Sequence, residues 1–140
     1  MTGPKPPADQ PRYVAIVDDD PAVRRALARL LSAHGVDART YASSQDFLKA
    51  LSFEAPCCLI SDINMPEMTG LELQDELARH GHSIPTIVIT GYDDASLRDK
   101  CRAFGAVAYL RKPVESALLI DAINSVPLDH GSTPAGSANS

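Results

Sequence analysis

The sequence predicts an α/β protein, a doubly wound five-stranded parallel sheet with a helix after every strand. Three observations carry this. Short apolar runs alternate with amphipathic stretches of helical spacing, five times over in 140 residues. Most of the runs are apolar throughout, not at every second position, as in strands covered on both faces. Parallel neighbours also need a crossover between them, and each amphipathic stretch can supply one.

Tyr13 to Val17 forms the first strand, closed by Asp18, Asp19 and Asp20. Asp20-Pro21 reads as a helix start, with Asp20 as N-cap and Pro21 at the first helical position. Val23, Ala26, Leu27, Leu30 and Leu31 then make the inner stripe, Arg24, Arg25 and Arg29 the outer side, and Gly35 the stop. Asp37 to Tyr41 is the most polar run and suits an outer strand. Ser43 and Asp46 form a capping pair before Phe47, Leu48 and Leu51, the inner face of a short helix.

Cys57 to Ser61 is the third strand, ending on Asp62. After a turn at Met65-Pro66, a helix runs from about Gly70 to His80, with Leu73 and Leu77 inward and Gly81 as stop. Thr86 to Thr90 is the fourth strand. Asp93-Asp94 opens a helix with Leu97, Cys101 and Phe104 inward, closed by Gly105. Ala106 to Leu110 is the fifth strand, and Leu118, Leu119, Ala122, Ile123 and Val126 mark the buried stripe of the last helix.

The length holds one domain with a full core, not two. Residues 12–126 form it. Residues 1–11, rich in proline, and 127–140, rich in Gly, Ser, Pro and Ala, read as flexible tails. A net charge of -5 argues against direct nucleic-acid binding, which needs a basic face. No apolar run approaches the roughly 20 residues that span a bilayer, and the first residues lack the apolar core of a signal peptide. A cytoplasmic location follows. Cys57, Cys58 and Cys101, odd in number and without C-x-x-C spacing, read as reduced, buried thiols.

In open parallel sheets, ligands bind beyond the carboxyl ends of the strands. There the sequence places Asp18, Asp19 and Asp20 after strand one, Asp62 after strand three, Thr90 after strand four and Lys112 after strand five. Taken singly, each has a plainer role: a helix cap, a β-branched strand end, a solvated surface charge. Asp20 has the capping role; Asp18 and Asp19 have none. Carboxylates crowded together either hold protons or hold a cation. Hard oxygen ligands with space left for water suit Mg²⁺ better than Ca²⁺. A lysine and a hydroxyl alongside would stabilise the oxygens of a phosphoryl group, and a carboxylate can form an aspartyl phosphate.

The four segments Val14–Asp20, Leu59–Gly70, Ile87–Gly91 and Tyr109–Pro113 together resemble the receiver domains of bacterial two-component systems. The D-x-x-M-P-x-M-x-G stretch from Asp62 to Gly70 and the Lys112-Pro113 dipeptide, in the right order, make the likeness specific. It covers about Arg12 to Val126, and its look is closest to the nitrogen-fixation and nodulation regulators.

The resemblance implies a flavodoxin-like (βα)5 fold with strand order 2-1-3-4-5. It implies that Asp62 accepts a phosphoryl group from a sensor histidine kinase, a phosphotransfer protein or a small donor such as acetyl phosphate. Asp19 would ligate Mg²⁺ directly, Asp18 mainly through water, and Asp62 and the backbone carbonyl of Asn64 would complete the protein ligands. Thr90 and Lys112 would bind phosphoryl oxygens, and Gly91 would leave room for them. The Lys112-Pro113 bond is expected to be cis. Tyr109 would rotate inward as Thr90 moves, remodelling the face of helix four, strand five and helix five toward an unknown output protein. That face carries Arg98, Asp99, Lys100, Arg111, Glu115 and Asp121, candidates for pairing in a phosphorylation-dependent homodimer. Asn64 and Tyr92 would tune the lifetime of the phosphoryl group.

Asp20 stands where the family often has glutamate. Relatives of this type usually continue into a DNA-binding helix-turn-helix domain, whereas this chain ends in a Gly/Ser tail, which reads as a stand-alone receiver or as a longer regulator cut to its first domain, with the first favoured. The expected chemistry is self-phosphorylation and autodephosphorylation, not conversion of a separate substrate. A haloacid-dehalogenase-type phosphohydrolase would use Asp18-x-Asp20, Thr90 and Lys112, with Asp18 as nucleophile, but the paired acids expected after Lys112 are missing. A receiver fold without its switch would have lost residues that are present here. A flavin-binding domain would need a phosphate loop where Asp18 and Asp19 stand.

Overall fold

The computed structural model describes residues 13–65, 68–91 and 94–126. In chain order the elements are β1 (Tyr13–Val17), α1 (Pro21–Ala33), β2 (Asp37–Tyr41), α2 (Ser44–Leu51), β3 (Cys58–Asp62), α3 (Gly70–Arg79), β4 (Thr86–Thr90), α4 (Ala95–Ala103), β5 (Ala106–Arg111) and α5 (Ser116–Asn124). The sheet is parallel throughout, in the order β2-β1-β3-β4-β5. The expected tails, the Met65-Pro66 turn at Pro66, and Tyr92 and Asp93 lie outside the described residues.

β1, β3 and β4 are buried at every residue, which is why they read as continuous apolar runs. Their side chains alternate between two layers. Val14, Ile16, Cys58, Ile60, Ile87 and Ile89 pack beneath Leu27 and Leu31 of α1 and Leu119 and Ile123 of α5. Tyr13, Ala15, Val17 and Leu59 pack on the other face beneath Phe47 and Leu51 of α2 and Leu73 and Leu77 of α3. A smaller cluster joins Ile63, Val88 and Cys101 with Leu71, Leu97 and Tyr109 under α4.

Local chemistry sets the helix ends. Asp20 Oδ1 accepts from the N–H of Ala22, and Ser43 Oγ from that of Asp46. Thr69 and Glu72 form a reciprocal capping box at α3. The stops at Gly35 and Gly81 have φ of +75° and +78°, a region costly for any residue with a Cβ.

Several expectations shift. β3 runs one residue later than expected, so Asp62 is its last residue and pairs with Ile89. β5 extends to Arg111 because Thr90 still offers it a partner. Ala26 and Leu118 sit on exposed surface, Leu118 at 51% exposure, and Phe104 is 41% exposed as the C-cap of α4. The apolar stripes are thus wider than the ridges that pack: α5 buries only Leu119 and Ile123, and edge strand β5 has no outer neighbour to cover the remainder. Cys58 and Cys101 are buried and Cys57 is half-buried, all three as free thiols. Burial pushes the Cys58 thiol up to about 12. Among the described residues no helix is long and apolar enough to cross a membrane.

The packing makes a comparison within one residue type. Leu31→Ala should lower stability by about 2–5 kcal/mol in urea denaturation, whereas Leu118→Ala should change it by about 0.5 kcal/mol or less. Equal losses would show that α5 buries a different face.

Candidate functional site

β1 and β3 lie side by side, and the chain leaves β1 toward β2 on one side and returns to β3 on the other. This crossing point opens a crevice beyond the strand ends. Asp18 lies at its floor, fully buried. Its Oδ1 accepts from the N–H of Asp20 at 2.9 Å, and its N–H donates to Tyr41 O at 3.2 Å. Asp62 is 4% exposed beside it, with the N–H of Asn64 donating to its Oδ1 at 3.4 Å. Asp19 stands at the rim in solvent. One oxygen from each of Asp18, Asp19 and Asp62 falls within 4.8 Å of the others.

Lys112 enters from β5. Its N–H donates to Thr90 O at 2.7 Å, the Lys112-Pro113 bond is cis as expected, and its Nζ lies 3.1 Å from Asp18 Oδ2 and 3.5 Å from Asp62 Oδ1. Burial, then the charge of Asp18, raises the pKa of Asp62, more than Lys112 and the Asn64 N–H lower it. Burial works against the Lys112 ammonium, yet Asp18 and Asp62 outweigh it and raise its pKa. Asp18 and Asp62 share the Lys112 ammonium and the Asp19 carboxylate stands beside them, so the described cluster carries excess negative charge in a partly desolvated place. All-oxygen donors with an open, solvent-facing side fit a small hard cation such as Mg²⁺.

Thr90 is fully buried at the end of β4. Gly91 is exposed, and a Cβ there would meet nothing within 4 Å, so space is open on that side. A hollow of about 280 Å³ opens beside Asp19, lined by Ala42, Ser43, Ser44, Gln45, Met65 and Met68. Tyr109 lies on the neighbouring strand. It is half-buried on β5, pairs in register with Val88, packs in the cluster of Ile63, and has the Arg98 guanidinium 5.4 Å from its ring centroid. Of the charged face, Asp99, Lys100, Arg111, Glu115 and Asp121 are exposed and Arg98 is half-buried.

Two residues of the site escaped the sequence. Arg24, assigned to the solvent side of α1, reaches back so that its Nη1 donates to Asp18 O at 2.7 Å. Its position four residues after the Asp20 cap was the available signal, since helix side chains lean toward the N-terminus. Gly70 was legible only as a letter of a motif. A Cβ there would lie 2.5 Å from Asp62 O and 2.9 Å from Ile63 Cα. The absent side chain lets α3 start directly against the end of β3, with the Gly70 N–H donating to Ile63 O.

The model of the response regulator receiver domain matches residues 14–124. The chain belongs to that family. This receiver domain is 38% identical over 117 residues to the response regulator protein TmoT of Ectopseudomonas mendocina, covering 84% of the chain and 53% of TmoT. It is 34% identical over 110 residues to nodulation protein W of Bradyrhizobium diazoefficiens, covering 79% of the chain and 48% of that protein. The crystal structure of FixJ-N superposes with a TM-score of 0.77 at 35% identity, over 84% of the chain and 94% of FixJ-N. The expected kinship with nitrogen-fixation and nodulation regulators therefore holds, as does the CheY-like, flavodoxin-type fold. The receiver domain spans about half the length of the curated relatives it matches.

Two outcomes follow from the geometry. Gly70→Ala should cost about 1–3 kcal/mol of stability, because the clashing atoms are backbone and cannot step aside; an unchanged urea midpoint would show that α3 can shift freely. For Asp62, a folded pKa above the unfolded one means that the folded state holds the proton longer. Its ionisation therefore lowers stability as pH rises from the unfolded value of about 3.9 through the folded pKa. Without divalent cations, Asp62→Asn should raise the urea midpoint at pH 7, and the gap should close toward pH 4. A mutant less stable than wild type at pH 7 would contradict this.

Proposed function

We propose that this receiver domain is a phosphorylation-activated switch of a two-component phosphorelay, in which Asp62 takes a phosphoryl group in a Mg²⁺-dependent reaction. The observation that carries the reading is the placement of Asp62, between two further carboxylates and a lysine 3.5 Å away, at an open crevice. A histidine kinase or phosphotransfer protein supplies the group as phosphohistidine, or a small donor such as acetyl phosphate does. Asp62 Oδ attacks phosphorus, a P–O bond forms, and the donor's P–N or P–O bond breaks with its electron pair leaving on the donor.

Asp18, Asp19, Asp62 and the carbonyl of Asn64 are the residues that would hold Mg²⁺, which when bound neutralises charge on the phosphoryl oxygens. Lys112, already bridging Asp18 and Asp62, turns to a phosphoryl oxygen. The Thr90 hydroxyl binds another, and the open space at Gly91 admits the group. Asn64 and Tyr92 set the lifetime of the aspartyl phosphate. Apart from this self-phosphorylation and autodephosphorylation the domain has no enzymatic task, and a cytoplasmic location suits such donors.

The signal leaves through Tyr109. Thr90 moves toward the phosphoryl group, Tyr109 turns inward, and the face formed by α4, β5 and α5 adopts a second packing. Coupling of about 1–3 kcal/mol is usual for such shifts. The output is a protein partner, an adjoining domain, or a second copy paired through Arg98, Asp99, Lys100, Arg111, Glu115 and Asp121. It is not direct contact with nucleic acid, which a net charge of -5 disfavours.

Intact mass after incubation with acetyl phosphate tests this. The expected result is one added phosphate that requires Mg²⁺ and vanishes in Asp62→Asn. An adduct that survives in Asp62→Asn but is lost in Asp18→Asn would overturn it in favour of Asp18 chemistry.

A further inference from the structure

Resting on the reading of the acids as a Mg²⁺ site, we propose that Arg24 is a positioning residue for the cation, fixing through the Asp18 carbonyl the peptide plane that aims Asp19. Asp18 and Asp19 differ sharply in support. Asp18 is held at three points by hydrogen bonds, its N–H to Tyr41 O, its carbonyl from Arg24 and Oδ1 from the Asp20 N–H, while Oδ2 faces the Lys112 ammonium at 3.1 Å. Asp19 stands exposed, and like charges on Asp18 and Asp62 push its carboxylate outward.

Among the described residues no side-chain hydrogen bond or ion pair holds the Asp19 carboxylate, which leaves its backbone as the point of restraint. The Asp18 carbonyl and the Asp19 N–H and Cα share one rigid peptide plane. A charge-assisted bond of 2.7 Å at the Asp18 oxygen therefore restrains the Cα that carries the Asp19 side chain. Arg24 itself is well anchored. It lies in the first turn of α1, its N–H donates to Asp20 O at 3.1 Å, and the Asp20 cap ties that turn to the Ala22 N–H. The acidic turn and the helix that follows thus brace each other around one guanidinium.

Charge and position predict opposite signs, which makes the proposal decidable. By charge alone, removing a cation next to a cation site tightens Mg²⁺ binding. By position, it weakens it, as loss of a group that orients a metal ligand commonly does by about tenfold or more. The experiment is calorimetric titration of the unphosphorylated chain with MgCl₂. The variants are Arg24→Met, which keeps the aliphatic stem, Arg24→Lys, which keeps a donor, and Arg25→Ala, which removes a neighbouring exposed charge. Circular dichroism and urea midpoints check that each is folded.

The expected result is an Mg²⁺ dissociation constant raised about tenfold in Arg24→Met, largely restored in Arg24→Lys, and equal to or below wild type in Arg25→Ala. Binding in Arg24→Met as tight as wild type or tighter would overturn the proposal, as would equal weakening in Arg25→Ala. Failure here leaves Mg²⁺-dependent labelling of Asp62 intact. Loss of labelling with a normal Mg²⁺ titration would instead remove the phosphorylation reading and leave the role of Arg24 standing. A wild-type chain that binds no Mg²⁺ would remove both.

Discussion

The structure is organised around a repulsion. Three carboxylates have oxygens within 4.8 Å of one another, and the two buried ones, Asp18 and Asp62, share the Lys112 ammonium. Nothing in folding alone rewards this arrangement, and the raised pKa of Asp62 records its cost. The surrounding fold supplies what resists it. β1, β3 and β4 are buried along their whole length and pack two apolar layers, so their ends cannot spread. Cores of this kind are stiff, and their rigidity fixes the acids at the strand ends.

Around that rigid centre, local devices do the fine placement. Asp20 caps α1, Arg24 holds the Asp18 carbonyl, and the Thr69–Glu72 box fixes the start of α3 over Gly70. Each is a short-range bond between a loop and the first turn of the next helix. The sheet sets where the acids are to within a strand spacing, and the helix starts set which way they face.

The fold was legible because burial on both faces leaves an unbroken apolar run, and five such runs punctuated by caps and glycines have few other readings. β1, β2 and β4 begin and end where the pattern puts them. Ends were less certain: β3 and β5 moved by a residue because strand limits depend on the partner's length, which no single run records. Ala26, Phe104 and Leu118 misled for a related reason. Periodicity marks which side of a helix is apolar, not how much of that side finds a neighbour beside an edge strand. The clustering was legible where a residue closes a strand: Asp18, Asp19, Asp62 and Lys112 come together at the strand ends, with Thr90 at the end of β4. The site was opaque where the contribution is backbone clearance or a reach across six residues, as with Gly70 and Arg24.

The same geometry bears on how a change at Asp62 could travel. Ile63 follows Asp62 directly and is bonded to β4 through its N–H to Ile89 O, and it packs with Val88, Leu97, Cys101 and Tyr109. Lys112 is tied to Thr90 through its N–H and to the acids through its ammonium. A shift of either Thr90 or Lys112 must therefore pull on β5, one of the two edge strands among the described residues. β5 is also partly exposed along its length, so it gives way at less cost than β1, β3 or β4. On the proposed reading, charge gathers at the ends of the buried central strands and is reported through a more exposed one. Tyr109 sits on that strand, under the Arg98 guanidinium.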